Sequence, residues 1–198
     1  MGVEIDRGLV VDEYLATSMP HIFAAGDVAG NYQLTHSASH EAWFASVNAL
    51  FGFAKRYKAD YRVLPRVTYT DPEVASVGLT EEDAKEQDIA YEVTTYGLDD
   101  LDRAIAESET KGFVKVLTTP GKDTILGATI AGSHAGEIIT EFTLAMRHKM
   151  SLGKILSTVH SYPTWSESNK YAAGKYRLDR QPEKLQAFAA KFFKWRLG

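Results

Sequence analysis

Apolar and polar positions divide the chain into two stretches with different patterns. A continuous apolar run over residues 22–25 stops at Gly26, which is typical of a buried parallel strand. Alanines and aromatic residues then recur at helical spacing over 35–52, so we predict a helix with Thr35 as its N-cap. Beyond residue 61 short β runs alternate with helical segments, which predicts an α+β region and a boundary between 52 and 65.

The second stretch contains most of the predicted regular elements. Strands are predicted over 66–70, 75–79, 91–96, 113–117 and 124–130, the last two as a hairpin. Helices are predicted behind a Thr80 cap, over 136–148, from near Ser166 and after Pro182. The first stretch holds only two short strands and one helix, which cannot cover both faces of a parallel strand. We therefore expect upstream sequence or a partner to complete it.

Composition excludes several classes of protein. The chain has 198 residues, no cysteine and a formal net charge of −4. It can form neither a disulfide framework nor a cysteine-based zinc site, and it contains no apolar run long enough to span a membrane and no secretory signal. A mildly acidic chain is not a general nucleic-acid binder. A cytoplasmic location fits these features best.

The last 29 residues form a separate electrostatic element. They carry eight basic and two acidic residues, a net charge of +6, so the other 169 residues carry −10. Apolar residues at helical spacing are flanked by basic ones: Leu185, Phe188, Phe192 and Trp195 beside Lys184, Lys191, Lys194 and Arg196. Such a helix can lie on an anionic membrane, but the favoured interpretation is a helix packed on its own domain.

Two neighbouring motifs could bind a ligand in the first stretch. Gly26 lets the backbone approach a ligand, and Asp27 then presents a carboxylate at the sheet edge, suited to ribose-like or ribityl hydroxyls. The alternative is a plain β-turn with Asp27 as its Asx residue. The helix entry Leu34-Thr35-His36-Ser37-Ala38 offers free N–H groups that could stabilise an anion such as a reduced flavin ring, or it is simply a capped helix without a ligand.

Two histidines on the same helix have a spacing that could bind a metal ion. His36 and His40 lie four residues apart, which is zinc-like, but no third ligand is evident and the H-E-x-x-H order is absent. We therefore predict no metal site and interpret both residues as surface or partly buried histidines.

A third motif runs from His160 to Glu167. Tyr162 and His160 can each take part in proton transfer, Pro163 fixes the chain before a helix, and Glu167 could orient either side chain. The alternative, favoured for this motif alone, is a loop with an aromatic anchor and an acidic residue at a helix start.

Taken together, five motifs resemble one family. Their order is A-A-G-D-V, L-T-H-S-A, Y-T-D-P-E-V-A-S-V-G-L-T, G-A-x-I-x-G-x-x-A-G-E-I-I and Y-P-T-W-S-E. This order resembles the carboxyl-terminal part of the flavin-dependent pyridine nucleotide-disulfide oxidoreductases, which include lipoamide dehydrogenase, glutathione reductase, mercuric reductase and the soluble transhydrogenase. The resemblance extends to about Ala173.

The resemblance implies a fold and a set of roles. Residues 1–58 would be a piece of an α/β FAD-binding domain, 62–175 an antiparallel sheet flanked by helices that forms a twofold homodimer, and 176–198 a basic helix. Asp27, beside Gly26, would bind the ribityl chain of FAD. Leu34, Thr35 and His36, with Ala38 behind them, would lie along the flavin ring. The loop at Pro163 would reach the flavin site of the other subunit.

Other family motifs are missing from this sequence. It contains no G-x-G-x-x-G unit for FAD or the nicotinamide cofactor and no redox-active cysteine pair. We expect the chain to be the end of a larger enzyme that takes electrons from NAD(P)H through FAD to a small acceptor. Alone it should bind FAD poorly and should not catalyse. The alternative is a stand-alone dimerisation or regulatory module without catalysis.

One departure from the family pattern bears on which electron acceptor the enzyme uses. Disulfide reductases of the family carry a catalytic histidine directly before Pro-Thr, paired with the later glutamate, whereas this chain has Tyr162 there. Tyrosine is a poor base at pH 7. This substitution favours a chemistry like that of mercuric reductase or the transhydrogenase over lipoamide, although the carboxyl-terminal mercury-binding cysteine pair is also absent. His160 is the alternative base, but its side chain would have to reach about 6 Å along an extended strand.

Overall fold

The chain folds as two units, the first ending at Tyr61 and the second beginning at Arg62. We describe them from a computed structural model that covers residues 2–30 and 32–197.

The first unit contains little regular structure besides one helix. Strands β1 (Ile5–Asp6) and β2 (Gly8–Leu9) form a short antiparallel pair, and helix α1 covers Thr35–Phe51. The predicted strand over 22–25 is wrong, because this segment makes only an isolated antiparallel bridge from Phe23 to Ala16. A parallel strand needs neighbouring strands, and the described residues place only the segment around Ala16 beside it.

Helix α1 buries a polar face instead of an apolar one. Its buried residues are Ser37, Glu41, Ala45 and Asn48, whereas Trp43 is exposed. The Asn48 side-chain amide donates to two backbone carbonyls, those of Tyr14 at 2.9 Å and Tyr57 at 2.8 Å. Side-chain-to-backbone hydrogen bonds therefore hold loops against this helix.

The second unit is built on a five-stranded antiparallel sheet in the order β3-β4-β7-β6-β5. Its strands are β3 (Arg66–Thr68), β4 (Val74–Gly78), β5 (Glu92–Gly97), β6 (Phe113–Thr118) and β7 (Ile125–Ala131). Each lies within two residues of its predicted position. The predicted α+β class and antiparallel sheet are confirmed.

Six helices accompany the sheet in the described residues: α2 (Glu81–Glu86), α3 (Asp102–Glu107), α4 (Ala135–Arg147), α5 (Leu152–Ser157), α6 (Glu167–Asp179) and α7 (Glu183–Leu197). The predicted Thr80 cap is confirmed, since its hydroxyl accepts the Asp83 N–H at 3.1 Å and Asp83 accepts the Thr80 N–H at 2.9 Å. Sequence analysis missed α3 and α5, because six residues are too few to establish a helical period.

An apolar core joins α4 and α6 to the sheet. Helix α4 packs on β4 and β7, while α6 packs on β5 and β6. Phe142 of α4, Ile130 of β7 and Val114 of β6 are fully buried in this core. The core fixes both ends of the loop between α5 and α6, which carries the third sequence motif.

Helix α7 does not bury its aromatic residues. Phe188 and Trp195 are 67% and 79% exposed, so the favoured prediction that this helix packs on its own domain is wrong for them. The side chains of Lys184 and Leu185, which belong to the predicted face, lie outside the described residues.

Candidate functional site

The first motif forms a tight turn around Gly26. Gly26 has φ of +77°, a left-handed conformation that favours glycine, and a Cβ at this position would lie 3.1 Å from the Ala38 Cβ. A single 3-10 turn over Asp27–Ala29 follows and leaves Asp27 exposed. The glycine therefore lets this turn seat directly on the first turn of α1.

A buried carboxylate that sequence analysis missed holds this turn in place. Glu41 is fully buried, and its carboxylate accepts the Gly26 N–H at 2.6 Å, the Tyr61 hydroxyl at 2.9 Å and the Ser37 hydroxyl at 3.4 Å. The Tyr61 ring in turn packs on Tyr32, with centroids 4.8 Å apart. The spacing of Ser37, Glu41 and Asn48, polar residues on one helix face, was the available signal.

Helix α1 begins one residue earlier than a Thr35 cap would require. Leu34 is the N-cap, with extended φ and ψ of −135° and 134°, and no side chain caps the helix. The predicted capping by Thr35 is wrong, because Thr35 is already helical. Thr35 and His36 are exposed on this first turn, where the helix dipole provides a partial positive charge.

The histidines of α1 do not assemble a metal site in the described residues. No group of three or more His, Cys, Asp or Glu side chains there is placed to hold a metal ion. The His40 ring instead packs edge-on against Phe44, with centroids 4.8 Å apart.

In the second unit, Glu167 organises the loop before α6. Its carboxylate accepts the Thr164 N–H at 3.0 Å and the Tyr171 hydroxyl at 3.4 Å. Trp165 is buried and donates to Glu107 at 3.3 Å, so it serves as the aromatic anchor that the alternative interpretation expected. Glu167 thus fixes the loop conformation, and the structure does not bring it into hydrogen bonding with Tyr162 or His160 among the described contacts.

Tyr162 lies on the exposed side of this loop. Its side chain is 68% exposed and follows directly into Pro163 through a cis peptide bond. A hydrogen bond to the Asp102 carboxylate, together with its charge, raises the pKa of Tyr162 above the usual value for a phenol, and the charge of Glu167 adds to this. At neutral pH the phenol is therefore protonated and acts as a donor. Asp102 was not singled out from the sequence.

His160 is held away from Tyr162 by its own partners. Nε2 lies 2.9 Å from the Glu141 carboxylate and Nδ1 lies 3.1 Å from the Thr158 carbonyl oxygen. Glu141 also accepts a hydrogen bond from the Asn169 amide at 2.8 Å. Both ring nitrogens are engaged and the imidazole is almost fully buried, so His160 links α4 to the loop. Its role as the alternative base stays a prediction.

Comparison with known families identifies the chain. The family described as pyridine nucleotide-disulphide oxidoreductase, dimerisation domain, matches residues 64–173. The family described as pyridine nucleotide-disulphide oxidoreductase matches residues 1–42. The chain belongs to the pyridine nucleotide-disulphide oxidoreductases, and the resemblance inferred from the five motifs is confirmed.

Two curated relatives illustrate the similarity. Dihydrolipoyl dehydrogenase of Chlamydia muridarum is 38% identical over 168 residues, which cover 82% of this chain and 36% of that protein. Mercuric reductase of Streptomyces lividans is 37% identical over 175 residues, covering 88% of this chain and 36% of that protein. The chain spans just over a third of the length of these relatives.

Solved structures share the fold. LpdA from Mycobacterium tuberculosis matches with a TM-score of 0.80 at 25% identity, covering 88% of this chain and 38% of that chain. The Cu(II) complex of the HOCl-induced flavoprotein disulfide reductase RclA from Escherichia coli matches with a TM-score of 0.79 at 26% identity, covering 87% of this chain and 40% of that chain.

Proposed function

We propose that the chain is the carboxyl-terminal part of a homodimeric flavoprotein oxidoreductase that passes electrons from NAD(P)H through FAD to a small acceptor. In that enzyme the first unit contributes FAD contacts and the second contributes the dimerisation domain. The observation that carries this proposal is the succession of the two family matches along one chain, over 1–42 and then 64–173. A cytoplasmic location stays a prediction.

The residues around Gly26 fit the proposed FAD contact. At Gly26 a Cβ would lie 3.1 Å from the Ala38 Cβ and φ is +77°, so glycine is the residue best suited to seat the Asp27 turn on the start of α1. The exposed Asp27 carboxylate can accept hydrogen bonds from ribityl hydroxyls, and the helix start carries positive charge for an electron-rich ring edge. When bound, the flavin supplies the two-electron chemistry that no side chain of this chain can provide.

Tyr162 supports an acceptor other than lipoamide. The hydrogen bond to Asp102 favours the protonated phenol, so Tyr162 cannot take a proton as the histidine of disulfide reductases does. Its single hydroxyl hydrogen would reach an electron acceptor only by leaving Asp102. We therefore favour a chemistry like that of mercuric reductase or the transhydrogenase. Glu167 would act indirectly, by fixing the loop that carries Tyr162 in a dimer.

The dimer is tested with the 198-residue chain itself. Static light scattering at micromolar concentration should give twice the monomer mass without added flavin. A monomer would contradict the assignment of the second unit as a dimerisation domain.

Testing the proposed catalytic function requires protein expressed from the complete reading frame that contains this sequence. Its product, purified with FAD, should be yellow, and colourless protein would contradict the flavoprotein assignment. In stopped-flow measurements Tyr162→Phe should slow oxidation of the flavin by the acceptor more than its reduction by NAD(P)H. Equal slowing of both half-reactions would contradict an acceptor-side role, and Tyr69→Phe, another exposed tyrosine, is the control.

A further inference from the structure

The carboxyl-terminal helix α7 exposes aromatic side chains that neither family match includes, since the matches end at residue 173. Phe188 and Trp195 are largely exposed, and Phe193 is 52% exposed. Large apolar side chains grouped in this way on a surface mark a contact with something else.

The aromatic residues form a continuous ridge along one side of the helix. Phe188, Phe192 and Trp195 are spaced by four and three residues, and their neighbouring ring centroids lie 6.4 Å and 6.0 Å apart. Seven residues of helix make this ridge about 10 Å long. We call these three residues the aromatic ridge.

Basic residues accompany the ridge without acidic neighbours. Lys191, Lys194 and Arg196 lie within the same two turns, and residues 184–197 contain no aspartate or glutamate. The chain as a whole carries a net charge of −4, so the helix is positive against an otherwise acidic molecule. An occupant of opposite sign is therefore expected next to the ridge.

Alternation of aromatic and basic residues favours a lipid surface over a protein partner. A protein that buried the ridge would also desolvate Arg196 and Lys191, which is costly unless each finds a carboxylate. At a bilayer surface the same side chains extend their charged ends to phosphates while the Trp195 indole N–H stays hydrated.

We propose that α7 lies on the surface of an anionic phospholipid membrane. The aromatic ridge contacts the acyl boundary, and Lys191, Lys194 and Arg196 contact lipid phosphates. The contact is peripheral, because no helix of the described residues has the length and hydropathy to cross a bilayer. This proposal does not rest on the proposed oxidoreductase function.

The test is co-sedimentation of the 198-residue chain with sucrose-loaded vesicles. Vesicles with about 30% phosphatidylglycerol in phosphatidylcholine should bind the chain at least tenfold more tightly than pure phosphatidylcholine. Raising NaCl from about 0.05 M to about 0.5 M should release it. Absence of binding to the anionic vesicles, or equal binding to both kinds, would overturn the proposal.

Two sets of variants locate the contact on α7. Replacing the aromatic ridge by alanine, and separately Lys191→Gln with Lys194→Gln, should each weaken vesicle binding at least tenfold. The matched controls are Phe53→Ala, another exposed aromatic residue, and Lys111→Gln with Lys122→Gln, which changes the charge equally elsewhere. Binding that persists in both α7 variants would overturn the proposal.

A second copy of the chain is the competing occupant. Light scattering of the ridge variant distinguishes it, because a lipid-binding helix leaves the oligomeric state unchanged. A shift to lower mass in the ridge variant, with vesicle binding retained, would assign α7 to a contact between copies instead.

Discussion

Helix α1 of the first unit buries Ser37, Glu41 and Asn48, whereas helix α4 of the second unit buries Ile138 and Phe142. The first unit therefore obtains its order from directional hydrogen bonds that hold loop backbone at fixed positions. The second obtains it from apolar area removed from water, which stabilises strongly but specifies position less closely. Under the proposed function the turn presents the Asp27 carboxylate to a ligand, which needs the first kind of support.

The same contrast holds at the surface. In the first unit Trp43, Leu50 and Phe53 of α1 and the following turn are exposed, although their residue types are those of a core. Under the proposed function these residues belong to a domain whose remaining sequence precedes this chain. The second unit instead forms a continuous apolar core from its own sheet and helices.

Removing apolar volume from the second unit should have the largest effect. Phe142→Ala deletes a fully buried ring between α4 and the sheet and should lower the free energy of unfolding of this unit by about 3–5 kcal/mol. Hydrogen exchange of the β6 and β7 amides measures the loss. Leu144→Ala, at an exposed position of the same helix, is the control and should cost less than about 1 kcal/mol. Similar losses for both variants would contradict the apolar core described for α4.

Removing one carboxylate should be the next largest effect, and it should be local. Glu41→Ala leaves the Gly26 N–H buried without its acceptor, which costs about 1–3 kcal/mol. Exchange of the Gly26 amide should accelerate accordingly. Glu41→Gln keeps one acceptor oxygen and should be milder, while Tyr61→Phe removes only one donor to the same carboxylate. An unchanged Gly26 amide in Glu41→Ala would show that the turn does not depend on this residue.

Sequence patterns correctly predicted the elements that depend on residues close together in the chain. The Thr80 helix cap and the hairpin of β6 and β7 depend on residues a few positions apart, and both are confirmed. The predicted strand over 22–25 is wrong because a strand forms only where neighbouring strands pair with it. An apolar run in the sequence does not show that such neighbours exist.

Side-chain partners far apart in sequence were not predictable. Glu41 and Gly26 are separated by 15 residues, and His160 and Glu141 by 19. A glutamate in a helix is ordinarily exposed, so the polar face formed by Ser37, Glu41 and Asn48 does not by itself indicate burial, and no local pattern gives His160 its partner. Only the fold brings these pairs together.

Removing a buried hydroxyl from the apolar core of the second unit should change stability less than Phe142→Ala or Glu41→Ala does. Among the described residues the Tyr96 hydroxyl is buried without a hydrogen-bond partner. Tyr96→Phe should therefore keep or raise the stability of the second unit, by at most about 1 kcal/mol. A loss of more than this in chemical denaturation would indicate a hydrogen bond to the hydroxyl, and Tyr69→Phe at an exposed position is the control.

The same variant has a predictable pH dependence. Burial, and then the charge of Asp100, raises the pKa of Tyr96 above its ordinary value of 10.0. The folded state thus favours the neutral phenol over the phenolate. The contribution of Tyr96 to the free energy of unfolding is therefore fully present below pH 10 and declines as the pH rises above it. Tyr96→Phe should flatten this alkaline decline. An identical decline in both proteins would show that other groups cause it.

The smallest expected effects come from one ion pair in each unit. In the second unit the Lys115 ammonium lies 2.7 Å from the Glu81 carboxylate and joins β6 to the start of α2, and both side chains are about one-third exposed. In the first unit the Lys58 ammonium lies 2.7 Å from the Glu13 carboxylate, and both side chains are more than half exposed. Lys115→Gln should cost at most about 0.5 kcal/mol, because solvent screens a partly exposed pair. Lys58→Gln should produce no detectable change.

The pH dependence of the first pair separates its charge from its packing. The hydrogen bond from Lys115 holds the pKa of Glu81 below its ordinary value of 4.5. The pair therefore stabilises the fold above pH 4.5, and this contribution is lost as the pH falls through the lowered pKa. Denaturation of the original chain and of Lys115→Gln should differ at pH 7 and converge in acid. A difference that persists in acid would mean that the aliphatic stem of Lys115 stabilises the unit by packing, since a protonated Glu81 can no longer form the ion pair.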